Sequence, residues 1–336
     1  MTLLIGVVAA LVFGFLPMLA YSALLWWFDR YEKEPLGLVI AAFAWGAAPA
    51  VLFSLIAELV LHIPVSTLVD PTTAALVDVA LIAPLAEEGF KGLALVLLFL
   101  FYRRELDSPL DGILYGGLVG FGFAAVENVI YFGGALLESG PGAMAFLALL
   151  RAFLFGLNHA LFTGLTGLGL ALARSERGWP VKVGASLAGF AAGVLAHLVH
   201  NTSVTIGAEL CWPCLVAIVA DWGGVLVVVA VMVWSSLRER RWIVDELQGE
   251  VALGTLSVAQ YATVSSYLAR VAERGRTLIR GDLRCWWALG RYYRLATELA
   301  FAKRRLKRFP DEADTQARIV ALRQQVQELG TRLRGE

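Results

Sequence analysis

Charge is scarce in this chain and cysteine scarcer. Asp, Glu, Lys and Arg make up 17% of its 336 residues, and there are three cysteines. Three are too few for a disulfide framework. Cys211-Trp212-Pro213-Cys214 forms a CxxC, but no βαβ pattern surrounds it, which argues against a thioredoxin-like domain. A local disulfide, or a free pair capping the last span, is the expected role. The N-terminus lacks a basic segment ahead of its apolar run, so a retained spanning helix is expected rather than a cleaved signal peptide. The apolar segments hold no G-x-S-x-G, no Ser/Lys pair and no catalytic Asp pair, which disfavours Ser and Cys nucleophiles. H-E-x-x-H is absent, so a metal reading rests on ligand type alone.

Long apolar runs fill the space that charge leaves. Hydrophobic residues reach 58% and mean hydropathy is +0.69, and runs of about 20 apolar residues are the signature of spanning helices. We read seven spans: 2–28, 36–62, 72–102, 109–134, 142–173, 180–207 and 212–236. The fold class is thus all-α, a polytopic membrane helix bundle with a C-terminal cytosolic helical domain. Pro84 is expected to kink the third span. Formal net charge is zero but unevenly spread: 9 Lys+Arg against 16 Asp+Glu up to residue 237, and 19 against 12 beyond it. That shift divides the chain into a membrane domain, 1–237, and a tail, 238–336. The tail reads as helices near 253–275, 282–308 and 312–332, with Pro310-Asp311 as a break. Trp286, Trp287, Tyr292, Tyr293 and Leu295 give its middle helix an aromatic core face. The run from Lys303 to Arg308 is a solvated face or a contact for anionic lipid or a partner.

Lys and Arg fall in alternate loops: Arg30 and Lys33; Arg103 and Arg104; Arg174, Arg177 and Lys182; Arg238, Arg240 and Arg241. By the positive-inside rule the N-terminus is outside and the tail cytosolic.

Against this apolar background a few polar residues stand out. Glu87, Glu88 and Lys91 sit inside the third span, at i,i+4 and i,i+3 spacings that let the lysine reach either carboxylate. Glu127 and Asn128 lie in the fourth span, Arg151, Asn158, His159 and Thr163 in the fifth, and His197, His200 and Asn201 in the sixth. Arg151 and His159, eight apart, should share one helical face, as should His197 and Asn201. Counted from the cytosolic ends, Glu87, Glu127, His159, His197 and Asn201 lie roughly 20–30 Å up, in one layer near the outer leaflet. Intramembrane charge is costly and marks function by default. Glu58, His62, Asp70 and Asp78 read as interfacial. The glycines of spans four and five, among them Gly116, Gly120, Gly164 and Gly167, read as close-packing sites.

These groups suffice for amide hydrolysis by an activated water: a carboxylate base, a histidine to orient the water, and Asn or His donors for an oxyanion. Glu and His could instead hold a divalent metal such as Zn²⁺. A proton-coupled or ion transporter using the buried Glu, Lys and His residues as a relay is the alternative, and an inactive receptor scaffold a third.

The ordered set Glu87-Glu88-x-x-Lys91, Phe123-x-x-x-Glu127-Asn128, Asn158-His159 and His197-x-x-x-Asn201 resembles the PrsW family of bacterial membrane proteases, related to CAAX-prenyl and bacteriocin-processing proteases. Asp29-Arg30-Tyr31-Glu32-Lys33-Glu34-Pro35 adds to the likeness, which covers roughly 15–235. The resemblance implies a glutamate-dependent intramembrane endopeptidase of the bacterial plasma membrane, cutting a membrane-anchored protein such as an anti-sigma factor on the extracytoplasmic side. Carried over, Glu87 activates water with help from His159, His197 and Asn201 form the oxyanion pocket, and Glu88 and Lys91 support Glu87. Glu127 stands where many relatives have His or Arg. Asn128, Arg151 and Asn158 would be supporting residues. Expected partners are that substrate, the lipid bilayer and a cytosolic protein on the tail, with no nucleic acid.

Overall fold

Apolar chain in lipid must satisfy its backbone polar groups within the segment, which leaves the helix as the form open to these runs. The computed structural model describes residues 2–31, 33–102, 105–106, 108–176, 178–207, 211–308 and 313–335, and the regular structure among them is helical. Arg103, Arg104, Arg177, Pro310, Asp311 and the Cys211 side chain, on which some expectations rested, lie outside the described residues.

The chain forms two compact units: residues 1–28 with 34–233, and 29–33 with 234–336. In the first, α1 runs Thr2–Phe28, α2 Leu36–Trp45, α3 Val51–Leu68, α4 Pro71–Val77, α5 Ala83–Phe101, α6 Pro109–Ser139, α7 Pro141–Ala148, α8 Asn158–Ser175 and α9 Trp179–Gly207. The next helix, α10, runs Cys211–Ala252. Wide π-helical turns join α2 to α3 (Gly46–Ala50) and α4 to α5 (Asp78–Ile82), and a third follows α7 (Leu149–Leu154). Pro84 falls in the first turn of α5, just after the second of these, so the expected distortion takes the form of an extra residue in a widened turn.

Among the described residues six segments, not seven, are long and apolar enough to cross a membrane: Leu4–Phe28, Leu36–Leu68, Pro109–Ser139, Pro141–Arg174, Trp179–Gly207 and Trp212–Ala252. The expected third span is set apart by its own chemistry, since α5 carries Glu87, Glu88 and Lys91 within 19 residues. The fifth is broken. After the π-helical turn the backbone leaves helical form at Phe155–Leu157 before α8 begins at Asn158. Arg151 and His159 therefore do not share the face of one continuous helix.

Helix α6 lies at the centre, buried from Pro109 to Ala125 and packed by α1, α2 and α8. A capping box starts it: the Ser108 hydroxyl accepts from the Asp111 amide at 3.3 Å, and the Asp111 carboxylate accepts from the Ser108 amide at 2.7 Å. Glycines let α8 come close. A side chain at Gly112, Gly116 or Gly120 would run into the backbone of Gly167, Thr163 or His159 respectively. Without lipid-excluded hydrophobic driving force, such small-residue contacts are what brings spanning helices together. Gly120 matters most here, because its partner is the carbonyl of a polar-layer residue.

The second unit buries Ile243, Leu247, Leu256, Val264, Tyr292, Leu299 and Val326. Its helices are the end of α10, α11 (Val258–Val264), α12 (Tyr267–Ile279), α13 (Leu283–Arg308) and α14 (Ala313–Gly335). The expected helix 253–275 is thus two, because Ser257 and Ser266 each cap a separate start. Tyr292, Tyr293 and Leu295 are core residues as expected, but Trp287 is 69% exposed. Part of the basic run on α13 is paired within the unit. Lys303 Nζ lies 2.6 Å from Glu250, and Lys307 Nζ 2.6 Å from Glu246. Glu250 is fully buried and also accepts from Arg323 and from the Thr255 hydroxyl at 2.9 Å.

Two outcomes follow from this packing. Gly120→Ala should lower thermal stability by about 1–3 kcal/mol through overpacking, read as an earlier unfolding transition of the purified chain. Glu250→Gln, which removes the charge that Lys303 and Arg323 share, should lower the unfolding temperature of the tail at pH 7.

Candidate functional site

Helix α5 brings a lysine between two carboxylates. Lys91 is fully buried. Its ammonium donates to Glu87 Oε2 at 3.0 Å and Glu88 Oε1 at 2.7 Å, and lies 3.0 Å from His159 Nδ1. The ring of Phe123, from α6, covers it at 3.9 Å. The i,i+3 and i,i+4 spacings produce the first two contacts, and the close α6–α8 approach at Gly120 carries His159 into the third.

The two glutamates are not equivalent. Glu88 is saturated: besides Lys91 it accepts from the Thr163 hydroxyl at 2.9 Å and faces His197 Nδ1 at 3.1 Å. Glu87 takes a hydrogen bond from Lys91 alone among the described residues, with His159 Nδ1 and His197 Nε2 both 3.9 Å away. A nitrogen facing a carboxylate carries the proton. His197 Nδ1 therefore donates to Glu88, and Nε2 is left as an acceptor in the neutral ring. Phe162 stacks on that ring at 4.7 Å.

His159 extends the network. Its Nε2 lies 2.8 Å from Glu127 Oε2, which places the proton there and leaves Nδ1 to accept from Lys91. Glu127 in turn takes Arg151 at 2.7 Å, Arg151 Nε donates to Asn128 at 3.0 Å, and the guanidinium lies 3.9 Å over Tyr131. The chain Glu88–Lys91–His159–Glu127–Arg151 thus links α5, α6, α8 and the π-helical turn after α7. His159 spends its hydrogen bonds on Lys91 and Glu127 and lies 3.9 Å from Glu87.

This network borders a cavity of about 780 Å³. Glu87, Glu127, Asn128, Arg151, Asn158 and His159 line it, while Glu88, Lys91 and His197 stand behind its wall. Asn201 also lines it but does not join His197. Its amide donates to the Val79 carbonyl at 3.1 Å, in the π-helical turn before α5. Asn201 thus faces the cavity while His197 lies outside its lining. Glu58, His62 and Asp78, read as interfacial, are cavity residues, and His62 Nδ1 meets Asp78 at 2.5 Å. Asp70 caps the exposed start of α4.

One acid escaped the sequence reading. Asp221, 3% exposed on α10, holds His200 Nδ1 at 2.8 Å and the Asn158 amide at 3.0 Å. It fixes the residue next to His159 at the start of α8. The signal was present as a lone carboxylate in an otherwise apolar span. Glu34, in the segment after α1, accepts from the buried Tyr115 hydroxyl at 2.5 Å.

Four groups could hold a metal. Glu87, Glu88, His159 and His197 each offer an atom within 4.8 Å of the others, and carboxylate oxygen and imidazole nitrogen are Zn²⁺ donors. Lys91 hydrogen-bonds three of the four, so its ammonium is the charge a metal would displace.

Comparison with known proteins identifies the family. The family model described as PrsW family intramembrane metalloprotease matches residues 34–237. Protease PrsW of Geobacillus kaustophilus is 30% identical over 154 residues, 46% of this chain and 62% of that protein. Protease PrsW of Clostridioides difficile is 33% identical over 103 residues, 31% of this chain and 42% of that protein. The chain thus spans less than two thirds of these curated relatives. No solved structure matches it. The family model covers the span from Glu34 to the end of the membrane unit, with every residue of the buried network inside it; this chain is a multi-pass membrane protein of the PrsW family.

Proposed function

We propose that the chain is an intramembrane endopeptidase that hydrolyses a membrane-anchored protein, of the anti-sigma-factor kind, near the extracytoplasmic face. The observation that carries this reading is the division of labour between adjacent glutamates: Glu87 borders the cavity, and Glu88 is sealed behind it with its hydrogen bonds filled. A base has to reach water, and Glu87 is the member of the pair that can.

In this reading Glu87 accepts a proton from a water in the cavity. Lys91 orients its carboxylate, and Glu88, Thr163 and His197 fix Lys91 from behind. His159 holds the far side of Lys91 in register with Glu127 and Arg151. Arg151, on the wall, supplies a donor for the developing oxyanion. The cavity's apolar lining, which includes Val51, Leu55, Ile130 and Phe155, suits an unwound apolar peptide segment. The family description adds a metal. The donors Glu87, Glu88, His159 and His197 fit one in type and mutual distance, with Lys91 as its competitor. When bound there, such an ion would polarise the scissile carbonyl. The Lys and Arg pattern supports an outside N-terminus and a cytoplasmic C-terminus in a bacterial plasma membrane. The tail would then be a cytosolic regulatory or partner-binding domain.

Glu87→Gln should lower cleavage by about 10²–10⁴-fold, the usual worth of a general base, while the chain inserts normally. Proteomic comparison of wild type with the variant reads this as the loss of shortened membrane-protein fragments. Equal fragment patterns would reject the reading. A chelator in the same assay addresses the ion: cleavage lost and restored by Zn²⁺ assigns it a role, whereas unchanged cleavage leaves water activation to Glu87 alone.

A further inference from the structure

The tail unit holds a second cavity, of about 830 Å³, that the protease reading does not use. Its lining carries six cations, Arg30, Lys33, Arg270, Arg274, Arg291 and Arg294, and no carboxylate among the described lining residues. Lys303 and Arg323 in this unit are matched by Glu250. Among the described residues, neither Arg270 nor Arg274 pairs with a carboxylate.

Arg270 makes the imbalance costly. It is 5% exposed. Its Nε donates to the Val264 carbonyl at 2.7 Å, but its Nη2 is buried with no hydrogen-bond partner. The Arg274 Nε is in the same condition. The faces around Arg270 are aromatic, with Tyr31 at 5.4 Å and Tyr293 at 5.6 Å from its guanidinium carbon. Burial pushes the guanidinium down to about 10. A buried guanidinium nitrogen without an acceptor is an expense that folding tolerates where an anion will supply it.

The rest of the wall describes what that anion is attached to. Trp286 and Trp287 stand edge-to-face, 5.0 Å apart, and Arg274 lies 4.1 Å over Trp286. Trp287 is 69% exposed, an indole that the fold itself does not need to bury. Paired indoles beside guanidinium groups suit a planar ring joined to a phosphate: arginine forks match phosphate oxygens, and a base stacks on an aromatic face. The volume lies within the range of small-molecule sites.

We propose that the tail cavity binds a nucleoside phosphate, with the phosphate on Arg270 and Arg274 and the base on Trp286 and Trp287. The same phosphate chemistry is also offered by an anionic lipid headgroup, so the test separates the two. The purified full-length chain is titrated calorimetrically with ATP and with inorganic phosphate in neutral detergent, and then compared in phosphatidylglycerol and phosphatidylcholine nanodiscs. ATP should bind at least tenfold more tightly than phosphate. Arg274→Gln should weaken both at least tenfold, and Trp287→Ala, at an exposed position, should weaken ATP but not phosphate. Arg270→Gln should act like Arg274→Gln, and the half-exposed Arg274 keeps the test sound if the more buried variant misfolds. No heat with ATP, affinity unchanged in Arg274→Gln, or a response to phosphatidylglycerol alone would overturn the assignment.

Discussion

One ammonium group organises the membrane unit. Lys91 is the charge that makes two adjacent carboxylates tolerable in a low-dielectric interior, and it does so with hydrogen bonds as well as sign. Because its third contact is His159, the same group ties α5 to α8 and, through Glu127 and Arg151, to α6 and the segment after α7. The site is therefore a network whose members hold one another in orientation. The adjacent glutamates come out of that network with different environments, one sealed and one open to the cavity.

The backbone had to bend for this to happen. Close α6–α8 contact at glycine positions lets side chains of two helices meet across a short gap. Widened turns before α5 and after α7 then rotate Glu87 and Arg151 into the same region. None of the devices is costly alone. Together they let helices from distant parts of the sequence deliver groups to one cavity without any of those groups facing lipid unpaired.

Much of this was legible in residue type and spacing. Apolar runs gave the helices, glycine periodicity gave the α6–α8 contact, and Glu87, Glu88 and Lys91 announced themselves by being charged where charge is expensive. Other features were not legible, for identifiable reasons. The break at Phe155–Leu157 carries no proline and is apolar on both sides, so hydropathy passes over it. Asp221 was missed because its span was judged by average hydropathy, which one carboxylate hardly lowers. Asn201 shares a face with His197 yet binds Val79, since periodicity carries angle and not reach. In the tail, aromatic residues looked like core, and Tyr292 and Tyr293 are; Trp286 and Trp287 instead border a cavity, a distinction that burial decides and composition does not.

The π-helical turn at Asp78–Ile82 has a bearing on how the polar network tolerates change in chain length. A turn of this kind holds one residue more than the regular helix around it. Losing that residue would cost little in hydrogen bonding, yet it would swing everything downstream by about 100° and carry Glu87 away from the cavity. Deleting one residue along this stretch would thus disturb the polar network more than most substitutions in the surrounding apolar sequence.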